Sequence, residues 1–239
     1  MMNVRKAIVA MAALMMLIAY CFADEEGFAK ARLRLVDLIR DQGIKDENVL
    51  KAMSAVPRHF FVPPSLSNMA YLDIPLPIDE GQSISQPYIV AFMTEQAKIK
   101  PGDKVLEVGT GSGYQAAVLA QMGAEVYTIE IIPSLAKSAE QRLKQLNFKK
   151  IAVRCGDGYK GWPEKAPFAA IIVTAAPNHV PKPLIDQLAV GGRLVIPIGP
   201  EGGIQSLKII TKTAEGMTVS DVMPVRFVPM TGEGVKEKK

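Results

Sequence analysis

The sequence predicts an α/β fold: a doubly wound, mostly parallel sheet with an antiparallel C-terminal edge and extra N-terminal helices. From Lys104 onward, short β-rich apolar runs alternate with helical patterns. The first run ends in a glycine loop that leads straight into a helix, Val105-Leu106-Glu107-Val108-Gly109-Thr110-Gly111-Ser112-Gly113-Tyr114. The last two runs, Gln205–Thr213 and Val219–Met230, are joined by a turn at Glu215-Gly216. That connection is too short for a parallel crossover, so the pair is expected to be antiparallel.

The elements follow in order. Phe28 to Arg40 places Leu33, Leu35, Val36, Leu38 and Ile39 among charges, a helix pattern, with Gly43 as its stop. Asp46 opens a second helix to about Ala55, ended before Pro57. Pro57–Pro77 reads as extended and loop-rich, and Gly81–Pro87 as a short polar loop. Tyr88–Ile99 reads as a helix closed by Pro101-Gly102. Strands are then expected at Lys104–Val108, Glu125–Glu130, Ile151–Cys155, Ala169–Thr174 and Arg193–Ile198. Helices are expected at Tyr114–Met122, Pro133–Leu146 and Pro183–Leu188, the last ahead of Gly191-Gly192. There is no internal repeat. The expected organisation is one domain over 24–239, with a helical and loop part (24–100), a core (101–200), and C-terminal strands and tail (201–239).

Composition excludes several classes. The chain has 239 residues, 49% hydrophobic and 22% charged, which is neither disordered nor collagen-like. A core of that size needs no disulfide or metal. The net charge of +4, partly carried by Lys236, Lys238 and Lys239, is too weak and scattered for a nucleic-acid partner. Cys21, Cys155, His59 and His179 have no zinc-like spacing, so no metal is expected.

Met1–Ala23 reads as a targeting segment. Arg5 and Lys6 precede a 16-residue uncharged run, Ala7–Phe22, and Cys21-Phe22-Ala23 offers a cleavage site before Asp24-Glu25-Glu26. The run is short for a membrane span. Tyr20 fits a lipoprotein cysteine at Cys21 poorly. The expectation is an exported, periplasmic protein without stable membrane association after cleavage. An uncleaved membrane anchor and a cytoplasmic protein are the alternatives. Cleavage leaves Cys155 as the one cysteine, so no intrachain disulfide forms.

The glycine loop carries the chemistry. A strand–glycine turn–helix lets a ligand approach the backbone and the helix N-terminus. A phosphate loop needs a lysine after its last glycine, and none is present. A nucleophile elbow fails because Thr110 and Tyr114 stand where Ser112 would need glycines. Gly111-Ser-Gly113-Tyr-Gln-Ala116 formally matches a dinucleotide fingerprint, with Glu130 19 residues beyond Gly111. Alternating Gly109, Gly111 and Gly113 fit adenosylmethionine enzymes better. A carboxylate at Glu130 can accept from both ribose hydroxyls. Asp157, between Gly156 and Gly158, can accept from an adenine amino group or serve as a turn residue.

With these residues in hand, the chain resembles the protein-L-isoaspartate O-methyltransferase family from roughly Leu33 to Val235. The specific match is Gly81-Gln-Ser-Ile-Ser-Gln-Pro87. Val56-Pro-Arg-His-Phe60, Gly156-Asp-Gly158, Ala175-Ala-Pro177, Leu184-Ile-Asp-Gln-Leu188, Gly191-Gly-Arg-Leu194 and Phe227-Val-Pro-Met-Thr231 add to it. The resemblance implies a Rossmann-like sheet of the class I methyltransferase type and transfer of a methyl group from S-adenosyl-L-methionine. The acceptor it implies is the α-carboxylate of L-isoaspartyl residues in damaged proteins and peptides. The product is S-adenosyl-L-homocysteine, and the ester then cyclises unaided to a succinimide.

It implies that Ser85 is the active-site hydroxyl, although a loop serine here can also cap the following helix. It implies cofactor contacts from Ser83, Ile84, Glu107, Gly109, Thr110, Gly111, Ser112, Gly113, Glu130, Asp157, Gly158 and Thr231. Ala175, Ala176 and Pro177 would form the lip where the substrate peptide docks. His59 and His179 read as structural, and Trp162 as cover for the sheet edge. The chain departs from the family in its export signal, since most relatives are cytosolic, and in the apolar pair Ile131-Ile132. A monomer is expected. The alternatives are a class I methyltransferase with another small-molecule acceptor, a nicotinamide-linked oxidoreductase, or a binding module that keeps the fold.

Overall fold

The computed structural model describes residues 25–236, so the targeting segment expected over residues 1–23 lies outside the described residues. The first helix, α1, covers residues 25–41 and buries Leu35, Val36 and Ile39. Helix α2, Glu47–Ala55, starts where the Asp46 carboxylate accepts from the Asn48 amide at 2.9 Å. Val49, Leu50, Ala52 and Met53 form its buried face. Helix α3, Pro87–Ala97, is fastened to this start by Glu95, whose carboxylate accepts from the Lys45 and Asp46 amides at 2.8 Å each.

Between them, the stretch read as loop carries short 3-10 turns at Arg58–Phe61 and Pro64–Met69. It also carries a two-residue antiparallel pair, β1 (Leu76–Pro77) with β2 (Ser83–Ile84). Strands that short have no periodicity to read.

The main sheet has seven strands in the order β5-β4-β3-β6-β7-β8-β9. They are β3 Lys104–Val108, β4 Glu125–Glu130, β5 Ile151–Cys155, β6 Phe168–Val173, β7 Leu188–Ile198, β8 Gln205–Lys212 and β9 Met217–Val225. The first five neighbours pair parallel, and β7-β8-β9 pair antiparallel, as the tight final turn predicts. Helices α4 (Tyr114–Gln121), α5 (Pro133–Gln145) and α6 (Lys182–Asp186) fill the crossovers. Residues alternate between two cores along β3: Leu106 and Val108 pack with α6, while Val105 packs with α3 and α4. Among the described residues no helix is long and apolar enough to cross a membrane.

Two boundaries differ most from expectation. β7 starts at Leu188, so the expected short helix ends earlier and Gly191-Gly192 lies inside the strand. The register against β6 jumps from Phe168↔Leu188 to Ala170↔Arg193, which makes the glycine pair part of a bulge. A Cβ on residue 192 would lie 2.9 Å from the carbonyl oxygens of Ala169 and Ala189, so glycine is required by strand approach. At the other end, β9 stops at Val225 rather than Met230. The chain then crosses to Ala176: the Ala176 amide donates to Val228 O at 2.8 Å, and the Met230 amide donates to Ala176 O at 2.9 Å.

Leu106 is fully buried at the centre of the sheet. Replacing it with alanine is expected to cost about 2–5 kcal/mol, read as a lower urea midpoint with unchanged slope.

Candidate active site

The site lies at the carboxyl ends of the parallel strands, where loops following β3, β4 and β6 arrive at one level. The Gly109 amide donates to Ile129 O at 2.8 Å, and the Thr174 amide donates to Val108 O at 2.9 Å. The Thr174 hydroxyl donates to Gly109 O at 2.6 Å. Gly109 has φ +101°, and a Cβ there would sit 2.5 Å from Thr174 Oγ1, so only glycine closes this turn.

Glu130 ties the next loop to the first. Its Oε2 accepts from the Gly111 amide at 2.8 Å, and its Oε1 accepts from the Ile132 amide at 3.0 Å. Arg142 on α5 donates to Ser112 O at 2.8 Å and braces the same loop from behind.

These loops line a cavity. Of the predicted residues, Ser83, Ile84, Ser85, Glu107, Gly109, Thr110, Gly111, Ser112, Glu130, Gly158, Ala175 and Thr231 face it. Gly113, Asp157, Ala176 and Pro177 do not. Gly113 is the N-cap position of α4, behind the loop. Asp157 holds backbone: Oδ1 accepts from the Tyr159 amide and Oδ2 from the Glu233 amide, both at 2.9 Å. That is the turn role weighed from the sequence. Ala176 and Pro177 are buried and bond to neighbouring chain through their backbone, leaving Ala175 as the residue of that motif on the cavity wall. Ile131 and Ile132 line the cavity next to Glu130.

A second groove adjoins the first. It is lined by Tyr88 and Ile89 of α3, by the Met223–Val228 segment and by Ile204. Ser83, Ser85, Thr174 and Val228 belong to both hollows. Ser85 therefore stands where a molecule in one meets a molecule in the other. Its hydroxyl does not cap α3: the N-cap position is Gln86, and the Tyr88 amide is taken by Asp73 Oδ1 at 2.8 Å.

Ser85 is held from below by Arg58, which the sequence reading left without a role. This guanidinium is fully buried and donates to Ser85 O at 2.8 Å and to Ala70 O at 2.9 Å. It lies 4.7 Å over the ring of Tyr114, the first residue of α4. Burial lowers its pKa to about 10 and pushes the Tyr114 hydroxyl up to about 12. The arginine remains a cation.

Among the described residues, three buried acceptor atoms in the cavity wall have no hydrogen-bond partner: both carboxyl oxygens of Glu107 and Oε1 of Gln115. Burial pushes the Glu107 carboxyl up to about 8; the Thr128 hydroxyl pulls against that rise and the charge of Glu130 adds to it. Missing from the sequence reading were Gln115, Thr174 and Val228–Met230. Strand alternation, which turns Glu107 toward α4, is the signal that leads to Gln115.

Neither histidine lines the cavity. His59 is buried, stacked at 4.2 Å on Phe28, with Nδ1 2.7 Å from the Tyr71 hydroxyl and Nε2 3.3 Å from Glu25. His179 Nδ1 lies 2.6 Å from Asn178 Oδ1. Trp162 packs edge-on against Tyr127 of β4 and under Arg154 of β5, covering that sheet edge.

Comparison with known proteins places this geometry. Residues 30–235 match the family model described as Protein-L-isoaspartate(D-aspartate) O-methyltransferase (PCMT). A protein-L-isoaspartate O-methyltransferase from Gloeobacter violaceus is 57% identical over 199 residues, covering 83% of this chain and 97% of its own. One from Shewanella sediminis is 51% identical over 215 residues, covering 90% and 88%. Among solved structures, a protein-L-isoaspartate O-methyltransferase superposes with TM-score 0.77 at 29% identity, over 84% of this chain and 66% of that longer one. A Plasmodium falciparum relative in complex with S-adenosyl-L-homocysteine gives TM-score 0.71 at 27% identity, over 84% and 98%.

The raised Glu107 pKa has a signed consequence for the ligand-free protein. The fold favours the neutral acid, so this group's contribution is full below its ordinary value of 4.5 and is lost as pH rises through about 8. Glu107→Gln is expected to unfold at higher urea than the parent at pH 9, by roughly a few kcal/mol. The two are expected to converge near pH 4–5. A constant difference at both pH values would refute the assignment.

Proposed function

The chain belongs to the protein-L-isoaspartate(D-aspartate) O-methyltransferase family, and from that premise we propose the roles of its site residues and its place in the cell. It is a protein-repair methyltransferase that moves a methyl group from S-adenosyl-L-methionine to the α-carboxylate of L-isoaspartyl residues in proteins. Bound S-adenosyl-L-methionine supplies an activated methyl group on a positively charged sulfur.

The residues present fit that cofactor. The orphaned acceptors of Glu107 and Gln115 call for a cationic, donor-rich ligand. The glycine loop gives a backbone floor, and Glu130, although it accepts two amides, keeps lone pairs for ribose hydroxyls. Ile131, Ile132 and Gly158 give the apolar wall an adenine ring needs.

One observation carries the assignment of the reaction centre: Ser85 and Thr174 belong to both the cofactor cavity and the adjoining groove. We place the isoaspartyl peptide in that groove, along Met223–Val228. Its α-carboxylate is ionised at neutral pH and needs no general base. Ser85 then has a positioning and hydrogen-bonding task toward the carboxylate, supported through its carbonyl by Arg58. Catalysis comes from holding the reacting atoms in line and away from water. One chain holds every residue assigned, so a monomer suffices.

We also propose that residues 1–23 direct export and are removed. Their basic start, uncharged run and small residue at Ala23 support this. In fractionated cells of a Gram-negative host, the protein is expected in the periplasm with Asp24 as its first residue. A cytoplasmic protein that retains Met1 would overturn the proposal.

Labelled methyl is expected to pass to an L-isoaspartyl peptide and not to its L-aspartyl counterpart. Ser85→Ala is expected to lower turnover by about 10-fold or more while S-adenosyl-L-homocysteine still binds. Glu130→Ala is expected to weaken that binding by a similar factor. Unchanged turnover in Ser85→Ala would remove the serine from the mechanism.

A further inference from the structure

The groove beside the cofactor cavity is lined almost wholly by uncharged groups. Ser83, Ser85 and Thr174 stand at the cavity end, and Tyr88 and Ile89 form the α3 wall. Among its lining residues Arg226 alone carries a charge.

The backbone fixes where Arg226 stands. Val225 and Phe227 pack inward with Val195 of β7 and Leu207 of β8. Gln205 pins the segment there, since its Oε1 accepts from the Phe227 amide at 2.8 Å. Alternation leaves Arg226 and Val228 on the other side, toward the groove.

Nothing in the described chain uses this charge. Arg226 is exposed, and among the described residues its guanidinium has no hydrogen bond or ion pair. The acids on neighbouring elements are committed elsewhere. Asp221 of β9 pairs with Lys208 and accepts from the Ser206 hydroxyl. Asp73, beside the start of α3, accepts from the Tyr88 amide at 2.8 Å and from the Gln86 and Gln42 side chains at 3.0 and 3.2 Å. An unpaired guanidinium on a pinned wall next to Ser85 is placed to meet a carboxylate that arrives with the substrate.

Spacing says which carboxylate. Val228 belongs to both hollows, so it marks the reacting end of the groove. Arg226 precedes it by two residues, which in extended chain span about 6.6–6.8 Å. A peptide lying extended along this segment, with its isoaspartyl residue at Ser85 and Val228, therefore brings a side chain about two residues away to Arg226.

We propose that Arg226 is a specificity-determining residue: it selects isoaspartyl segments that carry an acidic side chain about two residues from the damaged link. The inference rests on the isoaspartyl reading given above and on the peptide lying in this groove.

The test uses three L-isoaspartyl peptides that differ only in carrying Glu, Gln or Lys two residues to each side of the isoaspartyl residue. For the parent, kcat/KM is expected to be about 3- to 10-fold higher for the Glu peptide than for the Lys peptide, with the difference in KM. Raising the salt is expected to pull that ratio toward unity. Arg226→Gln is expected to abolish the preference, and Arg226→Glu to invert it. Methylation of the Gln peptide by each variant shows that it is folded. A parent that treats the Glu and Lys peptides alike, or a preference that persists in Arg226→Gln, overturns the proposal. A parent that methylates none of the three peptides overturns the isoaspartyl reading itself.

Discussion

The register of β3 between β4 and β6 sets everything else at this site. Val108 pairs with Ile129 on one side and Val173 on the other, so the three strands end together. The residues that follow, Gly109, Glu130 and Thr174, reach the same level and bond to one another's strands. Parallel strands make this possible because their carboxyl ends all face one way. A shift of one residue would turn Glu107 to the opposite core and pull Glu130 off the Gly111 amide.

Around that edge the protein buries ionisable groups in two ways. Arg58 is satisfied mainly by backbone carbonyls and an aromatic face, and it thereby joins the Ser85 loop, the Ala70 turn and α4 in one rigid unit. A planar donor fork suits that task better than a flexible ammonium. Glu107 is the opposite case: buried, raised in pKa and left without a hydrogen bond. Such a group contributes most to stability when neutral and loses that contribution as pH rises through about 8. Arg58 stiffens the loop that carries Ser85.

The antiparallel extension gives a general cofactor fold its second hollow. β8 and β9 carry the chain outward from β7 and return it through Arg226–Thr231 across the carboxyl edge. Pro229 has no N–H for a ladder, so the chain bridges to Ala176 rather than continuing as strand. Val228 faces both hollows as a result. A groove for a polypeptide thus forms from backbone next to a pocket for a small molecule.

Much was legible in the sequence because periodicity and glycine placement are local properties. The strands Lys104–Val108, Glu125–Glu130 and Ile151–Cys155 lie at their expected bounds, and the glycine loop, Glu130 and Ser85 all meet at one cavity. Boundaries set by distant contacts were not legible. The bulge at Gly191-Gly192 depends on how closely β6 approaches, and the end of β9 depends on Ala176, some fifty residues earlier in the chain. Ser85 looked equally able to cap a helix until Asp73 was found holding the Tyr88 amide. The Ala175-Ala-Pro177 motif looked like a docking lip, yet two of its three residues are buried. The residue types and their order along the chain determined the fold class and the chemistry, since both follow from local pattern. Which side chains share a wall, and which buried atoms lack a partner, was decided by tertiary packing, because hydrogen-bond satisfaction is a property of the surroundings and not of the residue.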